Sequence, residues 1–153
     1  LVSVHFYDPY TYTLECNFSQ WGHTAQAGKK ESWGDETHVK ELFGKLKAKF
    51  IDQGVPVYLG EIGCVHRSNA TEEAFRLYYL EYVTCAARTY GLAPIYWDNG
   101  SDKAGRECSG LFNRTTGAFL NNAEEAINAM RRGVYGTGSD YTLDAVYQRA
   151  PKK

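Results

Sequence analysis

The stretch Tyr58–Arg67, YLGEIGCVHR, sets one carboxylate, Glu61, between Gly60 and Gly63 at the end of the apolar run VPVYLGEIG. A short apolar run of this kind reads as a fully buried strand. A charge at its finish is either an ordinary loop residue or the reason the strand exists. The flanking segments bear on that choice. Upstream, Asp35 can cap ETHVKELFGKLKAKFIDQG, which places Val39, Leu42, Phe43, Leu46 and Phe50 at helical spacing, with Gly54 as its left-handed stop. Downstream, Asn69 or Thr71 can cap a second helix, EEAFRLYYLEYVTCAARTYG. Its Phe75, Tyr79, Tyr82, Val83 and Ala86 share one face, and Gly91 ends it.

Further out, the pattern repeats. LVSVHFY alternates like a strand and stops at the turn signal Asp8-Pro9, and a polar, aromatic loop runs from Tyr10 to Gly34. APIYWDNG reads as a third buried strand, and a third helix is expected from about Asn122 to Arg132, with Gly133 as its stop. The tail from about 134 to 153 is weakly amphipathic and carries no clear element signal. Regular β-α alternation predicts an α/β fold, with parallel strands and helices packed outside. No G-x-G-x-x-G follows a strand, which argues against a dinucleotide site. Each strand ends instead in unusual side chains: His5, Tyr7 and Asp8; Glu61; Trp97, Asp98 and Asn99. Such groups at the carboxyl ends of parallel strands are the habit of the (β/α)8 barrel, yet three βα units fall short of eight and of about 250 residues.

Composition narrows the classes of function. The 153 residues are 43% apolar and 23% charged, ordinary values for a globular chain. A net charge of -1 with scattered basic residues gives no case for a nucleic-acid partner. No apolar run approaches the ~20 residues of a membrane span, so no membrane partner is expected. The chain opens on a strand without a signal peptide, as expected of a mature or cleaved fragment. Cys16, Cys64, Cys85 and Cys108 lack C-x-x-C spacing, so no metal is expected; free buried thiols are favoured slightly over disulfides. Aromatic residues make up 14%, with twelve tyrosines and three tryptophans. Several lie in polar, Gly-rich stretches, where flat faces suit stacking on sugar rings.

If the three strands are neighbours, their ends form one pocket. There Glu61 can attack an anomeric carbon, Tyr7 can donate to it, His5 can orient it or bind a sugar hydroxyl, and Trp97 can floor the ring. Each has a bland rival: a lone Gly-Glu is common, a strand histidine is more often structural, and a lone tryptophan is more often core. Three complementary strand ends in order shift the balance toward function.

VSVHFYDPYTYT, VPVYLGEIG and PIYWDNG, in this order, resemble the last three strands of the family 5 glycoside hydrolases, retaining β-glycanases, most closely the endoglucanase and xyloglucanase branch. NFSQWG and SWGDE in the first loop fit the same branch, and the resemblance runs to about Gly133. It implies that residues 1–153 are the C-terminal part of a (β/α)8 TIM barrel, strands six to eight. It also implies Glu61 as nucleophile, Tyr7 as its hydrogen-bond partner, His5 beside it, and Trp97 at the central subsite. Trp21 and Trp33 would border the cleft, with Trp33 equally placed to be loop core, and Asp98 and Asn99 would shape the rim.

The family's acid/base glutamate stands in an Asn-Glu pair on the fourth strand, and no Asn-Glu pair occurs here. Retention needs two carboxylates ~5–5.5 Å apart, so the isolated chain is expected to be inactive or very weak. The resemblance implies hydrolysis of internal β-1,4-glucosidic bonds, a β-glucan partner, no cofactor and a secreted protein. It also implies pairing with an N-terminal half or self-association, because open strand edges are costly. The rival readings are a non-catalytic glucan-binding fragment and an inactive truncated one.

Overall fold

The computed structural model describes residues 1–152. Three strands, β1 (Val2–Phe6), β2 (Val57–Ile62) and β3 (Ala93–Tyr96), form one parallel sheet in the order β1-β2-β3. Between them run α1 (Tyr10–Thr13), α2 (Glu36–Lys49) and α3 (Ala70–Tyr90); α4 (Ala123–Tyr135) and α5 (Leu143–Gln148) follow. The β-α order matches the sequence pattern, and the caps follow from side-chain chemistry. Asp35 accepts from the amides of Thr37 and His38, and Asn69, rather than Thr71, accepts from Glu72. Gly91 closes α3 in the left-handed region, at φ 80°.

The helices cover one face of the sheet. Phe6, Val57, Leu59 and Ile62 point into that layer and are buried, each burial stabilising the fold by about 1.5–3 kcal/mol. Val39 and Phe43 of α2 and Phe75, Tyr79, Tyr82, Val83 and Ala86 of α3 are fully buried, while Leu42, Leu46 and Phe50 pack at the margin. The opposite face is open, contrary to the expectation of fully buried strands. Ser3, His5 and Ile95 lie on it, and Ile95 is 50% exposed. Three strands cannot curl enough to bury their own inner face, as eight would.

Four local expectations change. Helix α2 stops at Lys49, and a 3-10 turn at Ile51–Gln53 separates it from the left-handed Gly54. Gly133 lies inside α4 rather than ending it. A Cβ there would sit 2.0 Å from Thr84 Oγ1 and 2.7 Å from Glu81 O, so the glycine permits close contact of α4 with α3. The first loop contributes to the core: Trp21 is 2% exposed, its Nε1 donates to Gly34 O at 2.7 Å, and it packs on Tyr78, Tyr79 and Tyr82.

The tail, finally, is placed. Helix α5 packs on α3 through Leu143 and Val146, and Tyr147 stacks on His23 at 3.8 Å. Glu81 fastens this corner, accepting from Arg132 Nη2 (2.8 Å), Arg149 Nη2 (3.0 Å) and Tyr141 OH (2.8 Å). Burial raises the pKa of its carboxyl, but the Arg132 and Tyr141 hydrogen bonds outweigh that and hold it below the ordinary value.

Candidate active site

Parallel pairing in the order β1-β2-β3 brings three strand ends side by side. A β-bulge in β2 then selects which face Glu61 takes. Val4 pairs with Leu59 but His5 pairs with Glu61, so Gly60 is the extra residue. Strict alternation would put Leu59 and Glu61 on one face. The extra residue restores Ile62 to the helix-covered side and leaves Glu61 on the open side with His5. Glycine suits the bulge, because a Cβ at Gly60 would stand 2.6 Å from Ser3 Oγ.

Glu61 is partly buried and engaged through one oxygen. Tyr7 OH donates to Oε2 at 2.9 Å, and His5 Nδ1 stands 3.5 Å from the same atom. Oε1 accepts no hydrogen bond among the described residues. Burial first, then the Glu61 carboxylate, push the Tyr7 hydroxyl far above the ordinary phenol range. The phenol is therefore a fixed donor to Glu61 at any physiological pH. Its strand end is held from behind: Thr13 Oγ1 donates to Tyr7 O at 2.6 Å, and Val65 N donates to Thr13 O at 2.8 Å.

Tyr7, Glu61, Trp97 and Asn99 line one cleft of about 300 Å³ together with Leu14, Glu107 and Ser109. Trp97 is 46% exposed there, while its amide donates to Ile62 O at 2.9 Å and extends the pairing of β2 with β3. An exposed indole beside a carboxylate offers a flat apolar surface and a charged group to the same ligand.

The remaining expected residues divide. Asn99 lines the cleft, but its amide is spent on the loop: Oδ1 accepts from the amides of Ser101 (3.0 Å) and Ser109 (3.3 Å), and Nδ2 donates to Glu107 O. Asp98 Oδ1 accepts from the amides of Gly100 (2.8 Å) and Leu111 (3.0 Å), so it braces the rim loop from behind, and Asp98 does not line the Glu61 cleft. Trp21, expected at the cleft border, is in the core with its indole N–H consumed and offers no face to a ligand. Trp33 is 48% exposed and packs edge-on against His38, which binds Asp8 Oδ2 at 2.8 Å; it does not line the Glu61 cleft.

Glu107 was not singled out in the sequence. It sits in RECSG, a polar loop with no periodicity, and its partner Tyr10 is distant in the chain. The one hint was a charged residue in the loop after a strand that ends in WDNG.

Among the described residues no three His, Cys, Asp or Glu side chains gather as a metal site. All four cysteines are free thiols; Cys64 and Cys85 are buried, Cys16 and Cys108 half-buried. No helix among the described residues is long and apolar enough to cross a membrane.

Residues 1–103 match the model of the family described as Cellulase (glycosyl hydrolase family 5). Endoglucanase A of Paenibacillus barcinonensis is 34% identical over 139 residues, covering 88% of this chain but 34% of that protein. The solved structure of a Bacteroidetes-affiliated GH5 cellulase linked with a polysaccharide utilization locus superposes with a TM-score of 0.94 at 37% identity. That match covers 99% of this chain and 42% of the cellulase. A GH5-4 broad-specificity endoglucanase from Bacteroides salanitronis is 53% identical, with a TM-score of 0.86 over 90% of this chain and 37% of its own. The chain thus spans about a third of the length of the curated relative, and its three βα units are a segment of a larger (β/α) barrel.

Proposed function

The chain belongs to glycosyl hydrolase family 5, and we propose that it is the C-terminal portion of a secreted, retaining endo-β-1,4-glucanase in which Glu61 is the nucleophile. The observation that carries this is one carboxylate, held through Oε2 by Tyr7, beside an exposed indole at the carboxyl ends of adjacent parallel strands. Oε1 is the oxygen left to react. With a glucosyl ring on Trp97, Oε1 attacks the anomeric carbon, and the bond to the departing glucosyl oxygen breaks. The proton for that oxygen comes from a glutamate on a strand outside this chain. The same glutamate then deprotonates a water that cleaves the glycosyl ester and regenerates the Glu61 carboxylate. Tyr7 and His5 orient the nucleophile throughout.

The substrate of this reading is cellulose or a related β-1,4-glucan. Secretion follows from it, because such a polymer must be cut outside the cell. The N-terminal strands would cover the open face at Ile95 and His5 and supply the second carboxylate. Without them the chain is expected to be inactive or very weak.

The test is chemical rescue in the complete enzyme. Glu61→Ala should reduce turnover by roughly 10⁴-fold or more. Azide should restore cleavage of a dinitrophenyl β-cellobioside and yield the α-cellobiosyl azide, having entered from the face the carboxylate left. Unchanged activity in the variant, or loss of activity with no azide product, would refute Glu61 as nucleophile.

A further inference from the structure

The cleft holds a second carboxylate that the mechanism above does not use. Glu107 lines it together with Glu61, Tyr7 and Trp97. The helix α1 with its cap residue Leu14, and Asn99 of the loop after β3, hold it there. Its amide donates to Leu14 O at 2.8 Å, its carbonyl accepts from Asn99 Nδ2, and its Oε1 accepts from Tyr10 OH at 2.8 Å. The Arg106 guanidinium lies 3.7 Å from the same Oε1. Among the described residues, Glu107 is also one of three non-glycine residues with positive φ, at 56°, a conformation that Glu seldom adopts. Oε2 accepts no hydrogen bond among the described residues, and the side chain is 56% exposed. A loop fastened to the rim of Glu61's cleft therefore presents one fixed, charged, unspent acceptor.

We propose that Glu107 is a glycan-binding, specificity-determining residue whose Oε2 accepts from a hydroxyl of the sugar chain lying in the cleft, with Tyr10 as its positioning residue. This rests on the reading of the cleft as a glucan site. The chemistry follows from the partners: a carboxylate accepts and never donates, so it selects ligands rich in hydroxyl donors. The Tyr10 hydrogen bond fixes Oε1, which leaves Oε2 with a defined direction. Glu107 is separate from the missing proton donor, which this reading places on a strand outside this chain, whereas Glu107 lies in the loop after β3 and is held by Tyr10 at the start of α1.

The test compares Glu107→Gln, Tyr10→Phe and the unmodified complete enzyme on cellotetraose and on its monodeoxygenated analogues. The amide oxygen of Gln still accepts from Tyr10, so the loop stays fastened while the charge is lost. We expect kcat/KM on cellotetraose to fall about 10-fold in Glu107→Gln. One deoxy analogue, the one lacking the bound hydroxyl, should be cut equally by the variant and the unmodified enzyme. Tyr10→Phe should show a smaller loss of the same selectivity. An equal loss on every analogue, or none, would overturn the assignment. So would a kcat loss confined to substrates with poor leaving groups, because that would mark Glu107 as a proton donor. The unmodified enzyme separates this from the parent reading: no cleavage of cellotetraose at all would count against the glucanase proposal itself.

Discussion

The two faces of the sheet are built from the same three strands and serve opposite ends. On the helix-covered face, Phe6, Val57, Leu59 and Ile62 are nearly inaccessible and make no polar contact through their side chains. On the open face, His5, Tyr7 and Glu61 are polar, partly exposed and hydrogen-bonded or close to one another, with Trp97 and Ile95 bare beside them. The bulge at Gly60 separates the two sets at the one point where alternation would have mixed them. On this account stability and chemistry should be separable by substitution within a single strand. That independence is open to attack from both sides.

The largest effect should come from removing whatever covers the open face. Produced alone, the 153-residue chain should associate through its strand edges and exposed Ile95, and light scattering coupled to size exclusion should give a mass above that of one chain. A well-behaved single-chain mass would show that the open face needs no cover.

Next comes the buried face. In the complete enzyme, Leu59→Ala should cost about 2–5 kcal/mol in urea unfolding. The kcat of the folded fraction should stay within about twofold. A large kcat loss at full folding would mean that the two faces are coupled through β2.

Tyr7→Phe acts on the other side of the same strand pair. If Tyr7 orients the nucleophile, losing its hydrogen bond should lower kcat/KM roughly 10- to 100-fold, and the urea midpoint should fall by less than in Leu59→Ala. If the midpoint falls and the rate holds, Tyr7 belongs with the structural set.

The smallest effect is expected at Glu81, far from both faces. Its folded pKa lies below the unfolded value, near 4.3 for a free Glu. Its contribution is therefore present above that pH and lost as pH falls through the folded value. Arg132 and Arg149 are half exposed, so solvent screens the cluster. Glu81→Gln should cost about 1 kcal/mol at pH 7, shrinking toward pH 3. A difference that grows on acidification would reverse the sign assigned here.

The order of strands and helices was legible because apolar spacing and cap residues are local signals, as at Asp35, Asn69 and Gly91. So was the placement of Tyr7, Glu61 and Trp97 at strand ends. What was not legible depends on contacts between distant segments. Trp21 reads as a loop tryptophan until Tyr78, Tyr79 and Tyr82 of α3 close around it. Gly133 reads as a stop until Thr84 is found where its Cβ would be. Glu107 gains meaning only from its contacts, above all with Tyr10 and Leu14, which lie far back in the chain. The bulge leaves no trace beyond a glycine, because one extra residue changes parity without changing composition.

The most direct test of Glu61 as the reacting group is covalent trapping. The complete enzyme would be incubated with a 2-deoxy-2-fluoro-cellobioside carrying a dinitrophenolate leaving group, then digested and its peptides weighed. The fluorine slows hydrolysis of the glycosyl ester, and the leaving group departs without protonation. A fluorocellobiosyl adduct on Glu61 is the expected result. An adduct on another carboxylate, Glu107 included, or burst-free turnover with none, would contradict it.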